Sequence, residues 1–397
     1  MKKIAIIGAG PAGISTACFL KDFAGEVLLF EQNKRIGEKL RITGGGRMNV
    51  TNKKFSDAEF FSKNTRVLSH VFRHPYFQTP QTTLDALGVE YIWEDNRAIL
   101  ASGSAPKEVG RFHDILFRQK NLSLHFDSEV IHIEKQDEQF SLTLADKSVF
   151  VVDRVVLSGG GMFRLRDNKS SQGIYALATQ LGHTLCDPQP SLSPLVIKDH
   201  PFVDLSGVSH TVTLFEKNKK NMVCDSIIFT HEGISGPGVL DFSAHYSDDG
   251  FYISFLPDMK EDELRAVIKK RRDGKNIIAD FFIAKMPKSL FQFFEKRLNL
   301  PKHFSELSKE NEKKLIQDMC SFFVPSAMRK DFTFCWTTQG GIDMSEISAN
   351  SFESKKVKNL FFAGEIVDIN GLCGGYNISF AYVSGRIVGE GVGKIRV

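Results

Sequence analysis

The sequence lacks the marks of a disulfide-stapled, metal-stapled or membrane-spanning protein. Its six cysteines, at 18, 186, 224, 320, 335 and 373, form no CxxC and no close Cys/His cluster. That spacing argues against a disulfide framework and against a zinc site, and it fits a reducing compartment. Two lysines precede 17 uncharged residues, Ile4 to Leu20, in superficial likeness to a secretory signal. Three glycines and a proline within that run argue against the signal, so a cytoplasmic protein is expected. No other run approaches the roughly 20 apolar residues that cross a bilayer. An excess of one charge is missing as well. The 51 Lys and Arg against 47 Asp and Glu leave a formal charge of +4, which by itself implies neither nucleic acid nor membrane. There is no internal repeat, no low-complexity linker, no Ser-His-Asp set and no phosphoryl-transfer motif. What remains is a chain of 397 residues, 42% hydrophobic and 25% charged, long enough for two or three globular domains.

Residues 4 to 31 read IAIIGAGPAGISTACFLKDFAGEVLLFE. Ile4 to Ile7 suit a buried parallel strand, and Gly8, Gly10 and Gly13 follow at dinucleotide-fingerprint spacing. Gly8 permits the tight turn, Gly10 lets a pyrophosphate approach the backbone, and Gly13 lets the helix pack closely on the strand. The free N–H groups and positive dipole end of that helix favour an anion. A second apolar run, Val27 to Phe30, ends in Glu31, 18 residues beyond Gly13. That is near the place, about 20 residues on, where an acid grips ribose hydroxyls and disfavours a 2′-phosphate. An adenine dinucleotide is therefore expected, without its kind being fixed by this stretch.

The next segment, QNKRIGEKLRITGGGRMNVTN, reads as a long functional loop. Gly44, Gly45 and Gly46 offer backbone that wraps a ligand, and Lys39, Arg41 and Arg47 offer positive charge near phosphates. Residues 56 to 120 look mostly helical. From 123 to 157 the period becomes two, which predicts an antiparallel meander (LSLHF, EVIHIEK, QFSLTLAD, SVFVVD) and a return strand, Val155 to Leu157, running into Gly159, Gly160 and Gly161. Residues 188 to 258 read as a β-rich unit. Residues 260 to 330 switch to helical spacing, with a local excess of Lys and Arg that reads as a solvated helix face.

The C-terminal stretch, VKNLFFAGEIVDINGLCGGYNISFAYVSG, predicts a strand, Leu360 to Ala363, an acidic loop with Gly364, Glu365 and Asp368, and a helix opened by Gly374, Gly375 and Tyr376. An N-terminal GxGxxG paired with this C-terminal pattern is that of two-dinucleotide-fold FAD enzymes, and it separates FAD from NAD. The helix start would aim its dipole at the negative charge of a reduced flavin. GAGPAG, GEKLRITGGGRMNVTN, THEGISGPGVLDFS, TQGGI and LFFAGEIVDINGLCGGYNISFAYVSG together resemble the bacterial flavoprotein family that includes aminoacetone oxidase and a bile-acid-reducing flavoprotein. The resemblance spans nearly the whole chain. It implies an α/β protein: a Rossmann-like FAD-binding domain of glutathione-reductase type (1–187 and 344–397), an inserted β-barrel-like substrate domain (188–259 and 331–343) and a helical lid (260–330).

It further implies FAD held noncovalently by the first turn (Gly8, Ala9, Gly10, Pro11, Ala12, Gly13), by Glu31 and Gln32, and by the loop of Lys39, Gly45 and Arg47. Val130 would contact adenine through its backbone, and Gly159, Gly364, Glu365, Gly374, Gly375, Tyr376, Asn377 and Ile378 would complete the cradle. The chain departs from the family in three places. Met48 stands where Cys is usual, which excludes a thiol there. Leu100 and Ala101 replace a Phe-Pro pair, and MFRLRDNKSSQGIYALATQLGH replaces a Ser-Tyr-Pro and Gly-Asp-Gly segment expected near the flavin.

With flavin present, the cofactor carries the electrons and the protein supplies orientation and electrostatics. His231, Tyr376 and Arg47 are the polar candidates for the reacting end. The expected activity is FAD-dependent oxidation or reduction of a small organic substrate, amine oxidation or enone-type reduction, with oxygen or NAD(P)H as redox partner. A non-catalytic FAD-binding redox sensor or docking protein is the alternative. No metal, nucleic acid or membrane is expected, and a monomer or homodimer is. No second GxGxxG supplies a dedicated nicotinamide domain.

Overall fold

The computed structural model describes residues 1–162, 170–219, 221–246 and 249–394. Residues 163–169 of the segment that departs from the family, Met162 to His183, therefore lie outside the described residues. Two compact units are formed, Met1–Pro190 with Trp336–Val397, and Ser191–Cys335. No helix among the described residues is long and apolar enough to cross a membrane.

The first unit is built on a five-stranded parallel sheet in the order Leu360–Phe362, Arg154–Leu157, Lys3–Ile7, Glu26–Phe30, Leu122–His125. Its inner strands are almost wholly buried, Ile4, Ile6, Val27, Val155 and Val156 each being 0% exposed, as a sheet covered on both faces demands. The Rossmann-like α/β architecture expected from the sequence is the one observed. Two local readings change. LSLHF belongs to the edge of the parallel sheet, pairing with Glu26–Phe30, and not to the meander. The meander keeps three strands, Val130–Gln136, Gln139–Leu144 and Val149–Val152. Alternation alone could not separate these, because an edge strand and a meander strand share period two. The stretch 56 to 120 is also less helical than expected. Beside helices at Thr65–Val71, Gln81–Ala86 and Ala105–Phe117, it holds a hairpin, Tyr91–Glu94 with Arg97–Leu100, which pairs on to Asn49–Asn52.

The second unit takes the form of one seven-stranded antiparallel sheet with helices Glu261–Arg271, Ile278–Ile283, Lys288–Leu298 and Lys309–Ser321. Leu264, Ile268, Leu290, Phe294, Leu315 and Met319 lie in a single apolar cluster with Phe255, Phe202 and Phe322 of the β-rich part. Sheet and helices thus share one core, rich in edge-to-face phenylalanine pairs.

Two sets of contacts brace the first unit. The helix Pro11–Phe19 crosses the C-terminal helix Tyr376–Lys394 so closely that a Cβ on Gly385 would strike the Ala12 carbonyl and stand 2.8 Å from Ser15 Cβ. Ser15 Oγ donates to the Tyr382 carbonyl at 2.7 Å, and Thr16 Oγ1 to that of Gly385 at 3.1 Å, so the crossing is bonded as well as packed. Beside the edge strand Leu360–Phe362, His183 meets the Phe362 ring at 4.8 Å and is enclosed between Ser354 and Glu346. Ser354 Oγ already accepts the Lys356 and Val357 N–H groups, at 3.0 and 2.8 Å, so its hydroxyl proton is directed to His183 Nε2 at 2.8 Å. His183 Nδ1 stands 3.1 Å from Glu346 Oε2, close enough for charge interaction but out of hydrogen-bond alignment.

Gly385→Val should destabilise the protein by about 3 kcal/mol, the upper end for overpacking, because the obstacle is backbone and cannot rotate away. A urea midpoint equal to wild type would show that the helices are not held at this distance. Burial holds the His183 pKa below its ordinary value, partly opposed by the Glu346 carboxylate. The unfolded chain binds this proton near pH 6.5, whereas the folded protein resists it. The stabilising contribution is therefore complete above that pH and lost as pH falls through the lower folded value. Burial raises the Glu346 carboxyl, but Lys356 and Thr184 outweigh it and hold it at about 2, so Glu346 stays ionised in this range. His74, His125 and His245 are also shifted down by burial and act in the same sense. The diagnostic is hence the difference. His183→Gln should lose less Tm than wild type between pH 7 and about pH 5, and parallel Tm curves would refute the assignment.

Candidate functional site

The site grows from the end of the first strand. Gly8 turns the chain at φ +103°, and its N–H donates to the Phe30 carbonyl at 2.8 Å. A Cβ on Gly8 would lie 2.6 Å from Gly159 Cα, so two of the residues expected at the cofactor meet backbone to backbone where neighbouring strands end. Ser158 Oγ donates towards the Gly8 carbonyl at 2.9 Å and ties the same two turns together. Gly13 would strike the Gly8 carbonyl and Ser158 Oγ if it carried a side chain. Gly10 differs. It caps the helix, with Pro11 in the first turn, and a Cβ on it would meet no protein atom within 4 Å. Protein packing thus accounts for Gly8 and Gly13, while the space at Gly10 is kept for something else.

Glu31 is 8% exposed at the end of the second strand. Its Oε2 accepts the Ala9 N–H at 2.8 Å, and its Oε1 accepts Asn33 N–H at 2.9 Å and Asn33 Nδ2 at 2.6 Å. Burial raises its pKa, opposed by these hydrogen bonds from Asn33 and Ala9. A carboxylate offers about four acceptor positions, so the three bonds orient Glu31 across the glycine turn and leave capacity for a ribose hydroxyl. Gln32 beside it is exposed.

The loop that follows bears three consecutive glycines at positive φ, +60°, +65° and +88° for Gly44 to Gly46, and the space beside Gly45 and Gly46 is open. Lys39 is drawn into the protein, with its Nζ 2.5 Å from Glu365 Oε2. Glu365 Oε1 accepts the Thr338 N–H at 2.8 Å, and Thr338 Oγ1 accepts the Met162 N–H at 2.7 Å. Four segments far apart in sequence therefore converge here, and both residues read as cofactor ligands also serve each other. Arg47 pairs with Glu94 on the exposed hairpin, and Met48, fully buried, takes a left-handed φ of +55°. Val130 opens the first strand of the meander, 5% exposed.

At the C-terminal helix start, Gly364 donates its N–H to Ser384 Oγ at 3.0 Å. Gly374 and Gly375 have φ of +123° and +98°, and a Cβ on Gly375 would lie 2.7 Å from the Thr51 nitrogen. The close approach that demands glycine at 375 is thus to the strand Asn49–Asn52. Asn377 closes the loop before it, Oδ1 accepting the Gly371 N–H at 2.8 Å and Nδ2 donating to the Gly371 carbonyl at 2.7 Å. The Tyr376 ring stacks on Phe55 at 6.1 Å and meets Phe60 edge-on at 5.8 Å, and Ile378 packs half-buried against the same core. His231 is exposed in the second unit, at the bend before Gly233–Ser235. Sequence reasoning passed over Tyr175. It is 3% exposed, its hydroxyl has no hydrogen-bond partner, and burial together with the Glu365 and Asp368 carboxylates raises its pKa. In the sequence it was one apolar position among others on a helix, and nothing marked it.

Gly10→Val should leave the apoprotein within about 1 kcal/mol of wild type, the scale of a helix-cap change, yet abolish FAD binding. Glu31→Ala should weaken FAD by roughly 1.5 to 3 kcal/mol, the value of a charge-assisted hydrogen bond. Both are read by flavin fluorescence titration of apoprotein. An unchanged FAD affinity in Gly10→Val would remove the pyrophosphate from this turn.

The residues present suit FAD: an open helix N-terminus for the pyrophosphate, an oriented carboxylate for the ribose, and glycine backbone left uncovered. A family model described as HI0933-like protein Rossmann domain matches residues 2–391. The 3-dehydro-bile acid delta(4,6)-reductase of Clostridium scindens is 25% identical over 409 residues, covering 98% of this chain and 98% of that protein. Ribosomal RNA dihydrouridine synthases of Escherichia coli and Haemophilus influenzae are 26% and 28% identical, each covering 96% of this chain and 95% of its own length. Among solved structures, a 3-ketosteroid-delta4-(5alpha)-dehydrogenase from Rhodococcus jostii superposes with a TM-score of 0.51 at 12% identity, over 99% of this chain and 97% of that one, which supports the fold. The chain belongs to the HI0933-like family of Rossmann-domain proteins, and it is an FAD-dependent oxidoreductase.

Proposed function

We propose that this protein saturates a carbon–carbon double bond conjugated with a carbonyl in an organic substrate, using a reduced nicotinamide as electron source. The observation that carries this reading is the pair of names borne by the full-length relatives. A delta(4,6)-reductase of a 3-dehydro bile acid and a dihydrouridine synthase differ in substrate size and class. Yet each name denotes addition of two hydrogens across an alkene conjugated with a carbonyl, in a steroid ring or in a uracil ring. Of the two chemistries that the sequence left open, this favours enone-type reduction over amine oxidation.

When bound, FAD would supply hydride transfer from the nicotinamide to the alkene carbon remote from the carbonyl. The residues of this chain bind and orient it. The helix Pro11–Phe19 presents its N-terminus to the pyrophosphate, Glu31 holds the ribose, and the Gly374–Gly375 turn presents the start of the C-terminal helix. A positive dipole end there favours the reduced cofactor's negative charge over the neutral oxidised ring, and so raises its reduction potential. The carbon next to the carbonyl then takes a proton, which completes the addition.

A second reading keeps the chemistry and changes the carrier. In it the alkene belongs to a uridine in RNA, as the names of the Escherichia coli and Haemophilus influenzae relatives would have it. Reduced protein, prepared anaerobically with NADPH or NADH, should be reoxidised by a 4-en-3-one steroid or by unmodified ribosomal RNA at least tenfold faster than by buffer. Flavin absorbance reads the reaction and mass spectrometry identifies a product heavier by two hydrogens. Reoxidation by oxygen alone, together with flavin reduction by simple amines, would overturn the reductase reading in favour of an amine oxidase.

A further inference from the structure

In the first unit, Arg35 and Arg41 from the segment after Glu31, and Lys107 and Arg111 from the helix Ala105–Phe117, line a single depression of about 640 Å³. Gly110 lines it too, and a Cβ there would meet nothing within 4 Å, so part of the wall is bare helix backbone. The two helical segments are in direct contact, since a Cβ on Gly37 would stand 3.0 Å from Val109 Cγ1.

The charges in this depression are unequally satisfied. Arg35 is paired with Glu38, and Arg111 with Glu108, while Asp114, also in the wall, stands 3.6 Å from His113. Arg41 and Lys107 have no carboxylate partner among the described residues. Arg41 goes further, because its Nε is buried and has no hydrogen-bond partner at all. Leaving a buried charged donor unmade costs about 1 to 3 kcal/mol or more, a cost that an acceptor from outside the protein would remove. Arg111 is held ready. Its Nε is 3.1 Å from both Glu108 oxygens, its Nη2 is 3.1 Å from the Leu87 carbonyl, and its guanidinium lies 4.4 Å over the Phe112 ring. Its Nη1 stays uncommitted. Lys107 stands in the first turn of its helix, with its N–H on Ser104 Oγ, where the helix dipole adds to its charge.

We propose that this depression binds a phosphate group of a phosphorylated ligand, at a site separate from the FAD cradle. Planar guanidinium forks match phosphate oxygens bidentately, and several such forks with a lysine suit a dianion with three or more acceptor oxygens better than a single carboxylate. Separation from the cofactor follows from the short helix Glu38–Ile42. Lys39 and Arg41 are two residues apart and so face different sides. Lys39 turns to Glu365, Arg41 to the depression. None of the glycine-turn residues, Glu31 or the Gly364–Ile378 segment lines it. The phosphate can belong to a nicotinamide adenine dinucleotide phosphate or to an RNA backbone, which share this chemistry.

The test uses FAD-loaded protein in calorimetric titrations with inorganic pyrophosphate, adenosine 2′,5′-bisphosphate and a short oligouridylate. At least one should bind, and Arg41→Ala with Lys107→Ala should weaken it about tenfold or more, with FAD content unchanged. Gly110→Asp, which places a carboxylate in the depression without removing any cation, should do the same. Tighter binding of the bisphosphate assigns a nucleotide. Tighter binding of the oligouridylate, with an affinity falling steeply with salt, assigns an RNA backbone. The proposal fails if no probe binds at millimolar concentration, if the double variant binds as wild type does, or if Arg41→Ala costs the protein its FAD, since the depression would then belong to the cofactor.

Discussion

The constraint on which the first unit depends is backbone contact on both sides of the helix Pro11–Phe19. On one side Gly13 lies against the Gly8 carbonyl and Ser158, and on the other Gly385 and Gly389 bring the C-terminal helix against Ala12, Ser15 and Thr16. Side chains at these points would push the helix outward along its length. Its N-terminus would then no longer stand over the strand ends, where an anion is stabilised by free N–H groups and about half a positive charge. Removing side chains from the packed faces while leaving Gly10 uncovered produces a rigid support around an open surface. Rigidity matters here because electrostatic stabilisation is useful only when the dipoles need not reorganise.

The ionic interactions of the site follow from the same economy. Lys39 and Glu365, 31% and 15% exposed, neutralise each other and fasten segments more than three hundred residues apart. An isolated pair at this exposure adds at most about 1 kcal/mol, so its contribution is mainly positional. It is strengthened by the Thr338 N–H on the second Glu365 oxygen and by Met162 on Thr338. Glu31 is treated in a similar way, fixed by Ala9 and Asn33 before any ribose arrives. Preorganisation of this kind lowers the entropy that a bound cofactor must otherwise spend on ordering the protein.

How far the sequence reveals this depends on the range of each interaction. The strand, glycine turn, helix and acid of residues 4 to 31 are local, and each element is readable from period and spacing. The same holds for the helices whose apolar rows include Leu264, Leu290 and Leu315. The hairpin Tyr91–Leu100 was legible in principle, since Asp95, at φ +53°, and Asn96 separate two short β-prone runs. It was masked by the helices on either side. The Lys39–Glu365 pair, the Gly375–Thr51 approach and the unpartnered Tyr175 hydroxyl were not legible. Each depends on which distant segment arrives at the site, and no local pattern encodes that. Residue type marked Gly375 as special, but its close approach to the strand Asn49–Asn52 comes into view only in the fold.

The chain leaves the first unit and re-enters it through two adjacent strands, Leu185–Ser191 and Thr337–Ile342, which pair with each other. A Cβ on Gly340 would lie 2.5 Å from the Asp187 carbonyl, so the pair is closed tightly where the insertion begins and ends. Loop closure costs only about 0.6 kcal/mol for each doubling of length. A paired exit and entry therefore lets a large inserted unit fold on its own phenylalanine core with little penalty to the parent sheet. The residues expected to hold FAD all lie in the first unit, whose apolar core is distinct from that of the insertion.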